Sequence, residues 1–241
     1  MFHFIFGLVA YAAFNVVFMY FAGFLANFYV PKSIDAPLTG SDLSLALTIN
    51  LVLLAVFALH HSITPRHFFK KWLLRHLPAH LERSVYVLLA SVLLALVMWQ
   101  WQPMPQMLWQ VENIWGKTIL LALYLVGVVA PLVASFHIDH YDLFGLRQVQ
   151  CYLLNRPYVS PPFDEKGLYR LVRHPIMLGT LIVLWATPAM TMGHFLLALF
   201  LTGYIFVGIF FEERDLLRTI GKPYDSYRKR VPMLFPFLKR P

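Results

Sequence analysis

Arg173-His174-Pro175-Ile176-Met177-Leu178-Gly179 opens an apolar run that closes at Phe210-Phe211-Glu212-Glu213. Between those ends the chain is almost wholly apolar, relieved only at Thr187-Pro188 and at Thr191-Met192-Gly193. The break predicts a hairpin of two helices, residues 176–190 and 193–211, whose outer ends return to one depth. At about 1.5 Å of rise per residue each arm would be roughly 20–27 Å long, most of the hydrocarbon thickness of a bilayer. A guanidinium, an imidazole and two carboxylates would then meet at one membrane face, where polar groups are usually functional.

The composition around this hairpin is that of an integral membrane protein. Apolar residues make up 59% of the 241, and charged residues only 13%, about half the share in a soluble domain. Mean hydropathy is +0.62. The net charge of +8 does not point to nucleic acid, because the basic residues fall in blocks between apolar segments, as on the cytoplasmic side of a membrane protein. The one cysteine, Cys151, forms no internal disulfide, and no cysteine cluster suggests a metal site. The apolar run at residues 4–29 lacks the basic start of a cleaved signal and is long enough to span.

Six candidate spans follow: residues 4–29, 43–59, 84–101, 117–136, 176–190 and 193–211, the last two short enough to tilt or to stop at the far interface. Tyr29, Pro31 and Pro37 mark the end of the first. Trp99, Trp101, Trp109 and Trp115 read as interfacial anchors. Arg66, Lys70, Lys71, Arg75 and Arg83 follow the second span. Arg147, Arg156, Lys166, Arg170 and Arg173 follow the fourth, and eight more basic residues, to Lys239 and Arg240, follow the last. Only Lys32 and Lys117 fall on the other side. This asymmetry predicts both termini in the cytoplasm, in agreement with an even number of spans. Residues 137–173 form the one connection large enough to fold over a site.

Pro175 suits the first turn of a helix, where its missing N–H costs nothing. Arg173 and His174 therefore stand at a helix entrance that favours an anion. A ligand carboxylate would fit the entrance and the Arg173 fork, and Glu212 or Glu213 would receive an ammonium group. An amino acid, or a cofactor with an amino-acid tail, carries both. The same residues read equally well as a helix-end salt bridge with interfacial charges. Tyr224 and Tyr227 share a helical face and would either stack on a heterocycle or cation or anchor an amphipathic helix at the interface.

Arg173-His174-Pro175-Ile176-Met177-Leu178-Gly179, Glu212-Glu213, and Gly221-Lys222-Pro223-Tyr224-Asp225-Ser226-Tyr227 with Val231-Pro232 resemble the cofactor end of the isoprenylcysteine carboxyl methyltransferases and their bacterial relatives. Met177 departs from the pattern, which has an aromatic residue there. Upstream, His60-His61-Ser62, Glu82-Arg83-Ser84-Val85-Tyr86, Trp99-Gln100-Trp101-Gln102-Pro103 and Asp142-Leu143-Phe144-Gly145-Leu146-Arg147-Gln148 resemble the bacterial methanethiol S-methyltransferases and their NnrU-like branch. The likeness runs from about residue 50 to the C-terminus.

That resemblance implies an all-α polytopic bundle of five to six transmembrane helices with a C-terminal cytoplasmic cofactor-binding region. One methyltransferase domain is expected, comprising residues 1–42, 43–136, 137–175, 176–211 and 212–241 in turn, in the bacterial cytoplasmic (inner) membrane. The implied reaction is methylation of methanethiol to dimethyl sulfide by S-adenosyl-L-methionine. The implied cofactor residues are Arg173, His174, Pro175, Gly179, Glu212, Glu213, Tyr224 and Tyr227. A thiol acceptor needs a base, since the thiolate is the nucleophile. His60, His61 and His140, with Asp142 to orient a histidine and Arg147 lining the site, are the candidates, and His137 lies beside them. Each histidine alone reads more simply as an interfacial residue, but the group is a natural source of one base. The expected partners are a small apolar thiol and the bilayer, with no metal. Two alternatives stand beside this reading: the same cofactor acting on a larger lipophilic substrate, and a non-catalytic NnrU-like protein of haem or nitrogen-oxide metabolism.

Overall fold

The computed structural model describes residues 1–36 and 42–236, and of His67 only the backbone. Pro37, Lys239 and Arg240 lie outside the described residues. Among these the protein forms α1 (Phe2–Ala26), α2 (Leu43–Ile63), α3 (His67–Leu73), α4 (Glu82–Gln100), α5 (Ile114–His137), α6 (His140–Leu143), α7 (Leu146–Leu153), α8 (Pro175–Trp185), α9 (Met192–Thr219) and α10 (Lys222–Arg230). Two short strands, β1 (Met107–Gln110) and β2 (Ala189–Thr191), pair with each other. The fold is therefore all-α, as expected, apart from a strand pair that no alternating pattern announced.

Among the described residues, five helices are long and apolar enough to cross a membrane: Phe2–Ala26, Leu43–Ile63, Ala79–Gln100, Ile114–His137 and Met192–Thr219. The expected hairpin of matched arms is corrected. Its first arm, α8, has 11 residues, about 16 Å, and stops at Trp185 because Pro188 biases the residue before it away from helix. Its second arm, α9, has 28 residues and continues past the apolar run to Thr219. Glu212 and Glu213 thus lie inside a helix rather than after one, since the charged residues beyond Phe211 are good helix formers.

The chain divides into two compact units. The first holds residues 1–106, 140–161 and 191–194, with α1 packed on α4 and α7, and α2 on α4. Its helix ends are satisfied locally, as a bilayer demands. Asn27 closes α1 in the left-handed conformation, and Asp42 caps α2 through the Ser44 N–H. Asn50, wholly buried, holds both sides of Gln102, donating to its carbonyl at 2.8 Å and accepting from its N–H at 2.9 Å. Trp101 was expected at the interface but is fully buried, with Phe24 edge-on at 6.4 Å. It belongs to the core, whereas Trp99, Trp109 and Trp115 are exposed. Gly145, at φ +87°, enters α7 where a Cβ would lie 2.7 Å from the Ser84 N and Oγ, so both the conformation and the contact require glycine.

The second unit holds residues 107–139, 162–190 and 195 onward. Asn113 caps α5 through the Trp115 and Gly116 N–H groups, and Pro131 sits inside that helix. α5 and α8 pack closely. A Cβ on Gly179 would meet Pro131 Cδ at 2.5 Å and the Gly127 carbonyl at 3.0 Å. Gly127 is similarly close to Ile182 and Val183. Small residues let two apolar helices approach this closely, with dispersion as the gain. The Trp185 indole donates to Thr202 Oγ1 at 2.9 Å, linking α8 to α9.

Candidate active site

In the second unit the entrance of α8 is built as the sequence suggested, but its charges are already engaged. Pro175 occupies the first turn and His174 the cap position, with no side-chain cap on the first N–H groups. Arg173, 6% exposed, donates from Nε to Glu213 Oε1 at 2.7 Å. Its Nη1 donates to the Arg228 carbonyl at 2.9 Å and the Val231 carbonyl at 2.6 Å. Of the fork expected to grip a carboxylate, Nη2 is the part these contacts leave. His174 bridges the two acids, with Nε2 3.1 Å from Glu213 Oε1 and Nδ1 3.6 Å from Glu212 Oε2. Glu213 is thus held from two sides, while the Glu212 side chain remains 46% exposed.

The backbone binds this entrance to the tail. The Arg173 N–H donates to the Pro232 carbonyl at 2.9 Å, and the His174 N–H to the Met233 carbonyl at 3.2 Å. Tyr224 and Tyr227 on α10 are each 2% exposed and pack against Leu216, Leu217 and Ile220. Their rings face Phe163 at 5.8 and 5.4 Å and each other at 5.8 Å. The Tyr227 hydroxyl donates to the Tyr169 carbonyl at 2.7 Å. The Tyr224 hydroxyl is buried with no hydrogen-bond partner, the kind of group that calls for an explanation. Burial, and after it the Glu213 carboxylate, pushes this hydroxyl up from its ordinary value, so it is a donor at neutral pH. Gly179 sits at the α5 contact, which accounts for a glycine there without a ligand.

The upstream candidates lie in the first unit. His61, on α2, has the Tyr86 hydroxyl 3.0 Å from Nδ1 and 3.1 Å from Nε2. The His60 ring lies parallel to Tyr86, 6.1 Å away at 13°. Both His60 ring nitrogens are buried without a hydrogen-bond partner. The Arg83 guanidinium stands 5.2 Å from the Tyr86 ring centroid, and its Nε donates to the Leu143 carbonyl at 2.7 Å. His140, 3% exposed, meets the Tyr11 hydroxyl at 2.7 Å through Nε2, and burial lowers its imidazole toward the neutral form.

Asp142 was expected to orient a histidine. It engages Gln148 Nε2 at 3.2 Å and the Tyr158 hydroxyl, which burial and then Asp142 push up. Arg147 is half-buried on α7. His137 packs under Gly167 in the second unit, near the Leu168 N–H. Sequence reasoning missed Tyr11, Tyr86, Phe163 and Tyr169 as neighbours of these groups. Tyr86 alone left a signal, three residues after Arg83 on one helix face. Among the described residues, no group of three His, Cys, Asp or Glu side chains is placed to hold a metal ion.

A family model described as NnrU protein matches residues 49–222. The methanethiol S-methyltransferase of Mycobacterium tuberculosis is 46% identical over 236 residues, covering 98% of this chain and 96% of that protein. Methanethiol S-methyltransferase 2 of Bradyrhizobium diazoefficiens is 45% identical over 234 residues, 97% of this chain and 90% of the relative. Nurim of Sus scrofa is 30% identical over 209 residues, 79% of each chain. No solved structure matches. Matched by the family model over most of its length and by these relatives over nearly all of it, the chain belongs to the NnrU protein family and to the family of the methanethiol S-methyltransferases.

Proposed function

We infer that this protein methylates methanethiol to dimethyl sulfide, with S-adenosyl-L-methionine as methyl donor, at the cytoplasmic face of a bacterial inner membrane. Similarity over nearly the whole chain to proteins named for that reaction carries the reading. The residues at the α8 entrance fit the donor. Its methionyl carboxylate suits the uncapped first turn of α8 together with Arg173 Nη2, and its ammonium suits Glu212, the more exposed of the two acids. The unpartnered Tyr224 hydroxyl, fully buried beside this charge cluster, is a donor waiting for an acceptor. Bound there, the cofactor supplies a methyl group on a positively charged sulfur.

Arg173 and His174 position the acids. Arg173 fixes Glu213 and the tail, and His174 sets the spacing of Glu212 and Glu213. Tyr227 supports the site through Tyr169 and Phe163. His60, His61 and His140, with Asp142 and Arg147, are the acceptor-side groups. The distribution of basic residues favours cytoplasmic termini under the positive-inside rule, and on that reading the charged donor arrives from the cytoplasm while a small apolar thiol partitions from the bilayer.

Headspace gas chromatography of cells expressing the chain and given methanethiol tests the function. Dimethyl sulfide well above the vector control is expected, and none above it overturns the thiol substrate. A Soret band in the purified protein, without affinity for S-adenosylhomocysteine, would turn the assignment toward haem.

A further inference from the structure

From Leu43 to Leu81 the chain holds no Asp or Glu, yet Arg66, Lys70, Lys71 and Arg75 crowd into the link between α2 and α4. The helices on either side of that link are both long and apolar enough to cross a membrane, and they pack on each other within the first unit. A short link between two adjacent spans lies at a bilayer surface, and α3 forms most of it. The turn after α3 stays helical, since the Leu74 and Leu77 N–H groups donate to the Lys70 and Leu73 carbonyls at 2.9 Å each.

Helical spacing divides this stretch into two faces. On one, Phe69, Lys70, Leu73 and Leu77 are half-buried, and Lys70 reaches Glu82 in the first turn of α4 at 3.3 Å. On the other, Phe68, Lys71, Trp72 and Arg75 stand at i, i+3, i+4 and i+7, and all four are exposed. Phe68 is 67% exposed and Trp72 52%. Among the described residues, neither Lys71 nor Arg75 has a carboxylate within ion-pair distance. A face turned to water would not hold two large rings out, and one sunk among acyl chains would not carry two cations. Rings and cations alternating on one face suit the headgroup layer, where aromatic residues sit and basic side chains meet phosphate.

We propose that the outer face of α3 is a docking surface for anionic phospholipid headgroups, with Lys71 and Arg75 on the lipid phosphates and Phe68 and Trp72 set between the lipids. The inner face carries this contact to α4 through Lys70 and Glu82, so the bound lipids set the depth at which that helix enters the bilayer. The complete absence of acidic side chains from Leu43 to Leu81 makes the face complementary to negative lipid and leaves nothing in the segment to repel it.

The test uses the full chain in vesicles of phosphatidylcholine and phosphatidylglycerol, one of the two lipids carrying brominated acyl chains that quench tryptophan. The Trp72 signal is the difference between wild type and W72F. Brominated phosphatidylglycerol should quench it at about one-fifth the mole fraction that brominated phosphatidylcholine needs, or less, the preference one surface cation confers. In K71Q/R75Q the two lipids should quench alike, with Tm unchanged because both side chains are exposed, whereas K71R/R75K should keep the preference. Sodium chloride at about 0.5 M should shrink the preference in wild type by screening. Equal quenching by the two lipids in wild type, or a preference that survives in K71Q/R75Q, overturns the proposal. Quenching by neither lipid also overturns it, since the face would then meet water or another protein.

Discussion

Arg173 is a buried side chain and His60 a half-buried one whose ring nitrogens are covered, yet their polar atoms are treated in opposite ways. Arg173 gives hydrogen bonds to a carboxylate and two backbone carbonyls, while neither nitrogen of His60 meets any partner. A buried charge with so many partners holds a structure together, because removing one end strands the other. A half-buried imidazole whose covered nitrogens have none gains no hydrogen-bond energy from its surroundings. Within the second unit, Tyr227 with a bonded hydroxyl and Tyr224 with a free one repeat the contrast three residues apart.

The largest test of this contrast is R173A. It leaves Glu213 and two carbonyls without their donor, so it should cost about 3–5 kcal/mol of stability, the scale for breaking a buried ion pair, and abolish S-adenosylhomocysteine binding. Thermal unfolding in detergent and calorimetry read the two effects, and retained affinity would sink the donor site. G179A comes next. The added methyl meets Pro131 Cδ at 2.5 Å, so about 1–3 kcal/mol should be lost to overpacking, visible as a lower Tm. Donor affinity per folded molecule should not change, and if it does, Gly179 touches the ligand after all.

E212Q should weaken S-adenosylhomocysteine binding about tenfold, or about 1.4 kcal/mol, without lowering Tm, whereas E213Q should lower both. Equal behaviour of the two acids would erase the division of labour drawn between them. The tyrosine pair should split as well. Y227F loses the bond to the Tyr169 carbonyl, worth about 1 kcal/mol, and should leave affinity alone. Y224F should spare Tm and weaken the ligand. The smallest effect is in pH. Burial raises Tyr169, Tyr224 and Tyr227 above their ordinary value. Their contribution is complete below the unfolded value of about 10 and lost as pH rises past it. Tm should therefore be flat in this respect from neutral to mildly alkaline pH and fall above, less steeply in Y227F.

The fold class was readable because apolar runs of span length interrupted by basic loops have one stable solution in a bilayer. The convergence of Arg173, His174, Glu212 and Glu213 was readable from the hairpin between them. Their partners were not. Which acid Arg173 takes depends on how far α9 continues past Phe211, and helix ends are the least legible feature of a sequence. Trp101 and Trp99 differ by two positions, yet only the packing of Phe24 decides which is core. Gly179 carried a motif's meaning in the sequence, while its contact with Pro131 depends on two helices distant in the chain. His60 and His61 looked interchangeable, and Tyr86, from another helix, is what separates them.

The bonds from Arg173 to the carbonyls of Arg228 and Val231 reach 55 and 58 residues along the chain, and its N–H reaches Pro232. During synthesis the α8 entrance is therefore made long before its closing strap emerges. The helices can enter the bilayer while Arg173 still lacks these carbonyls, and the charge cluster acquires its final shape only when the strap docks. On the proposed donor site, competence for the donor would then be a late event in the protein's birth, and a chain truncated before Val231 would be expected to insert yet fail to bind S-adenosylhomocysteine.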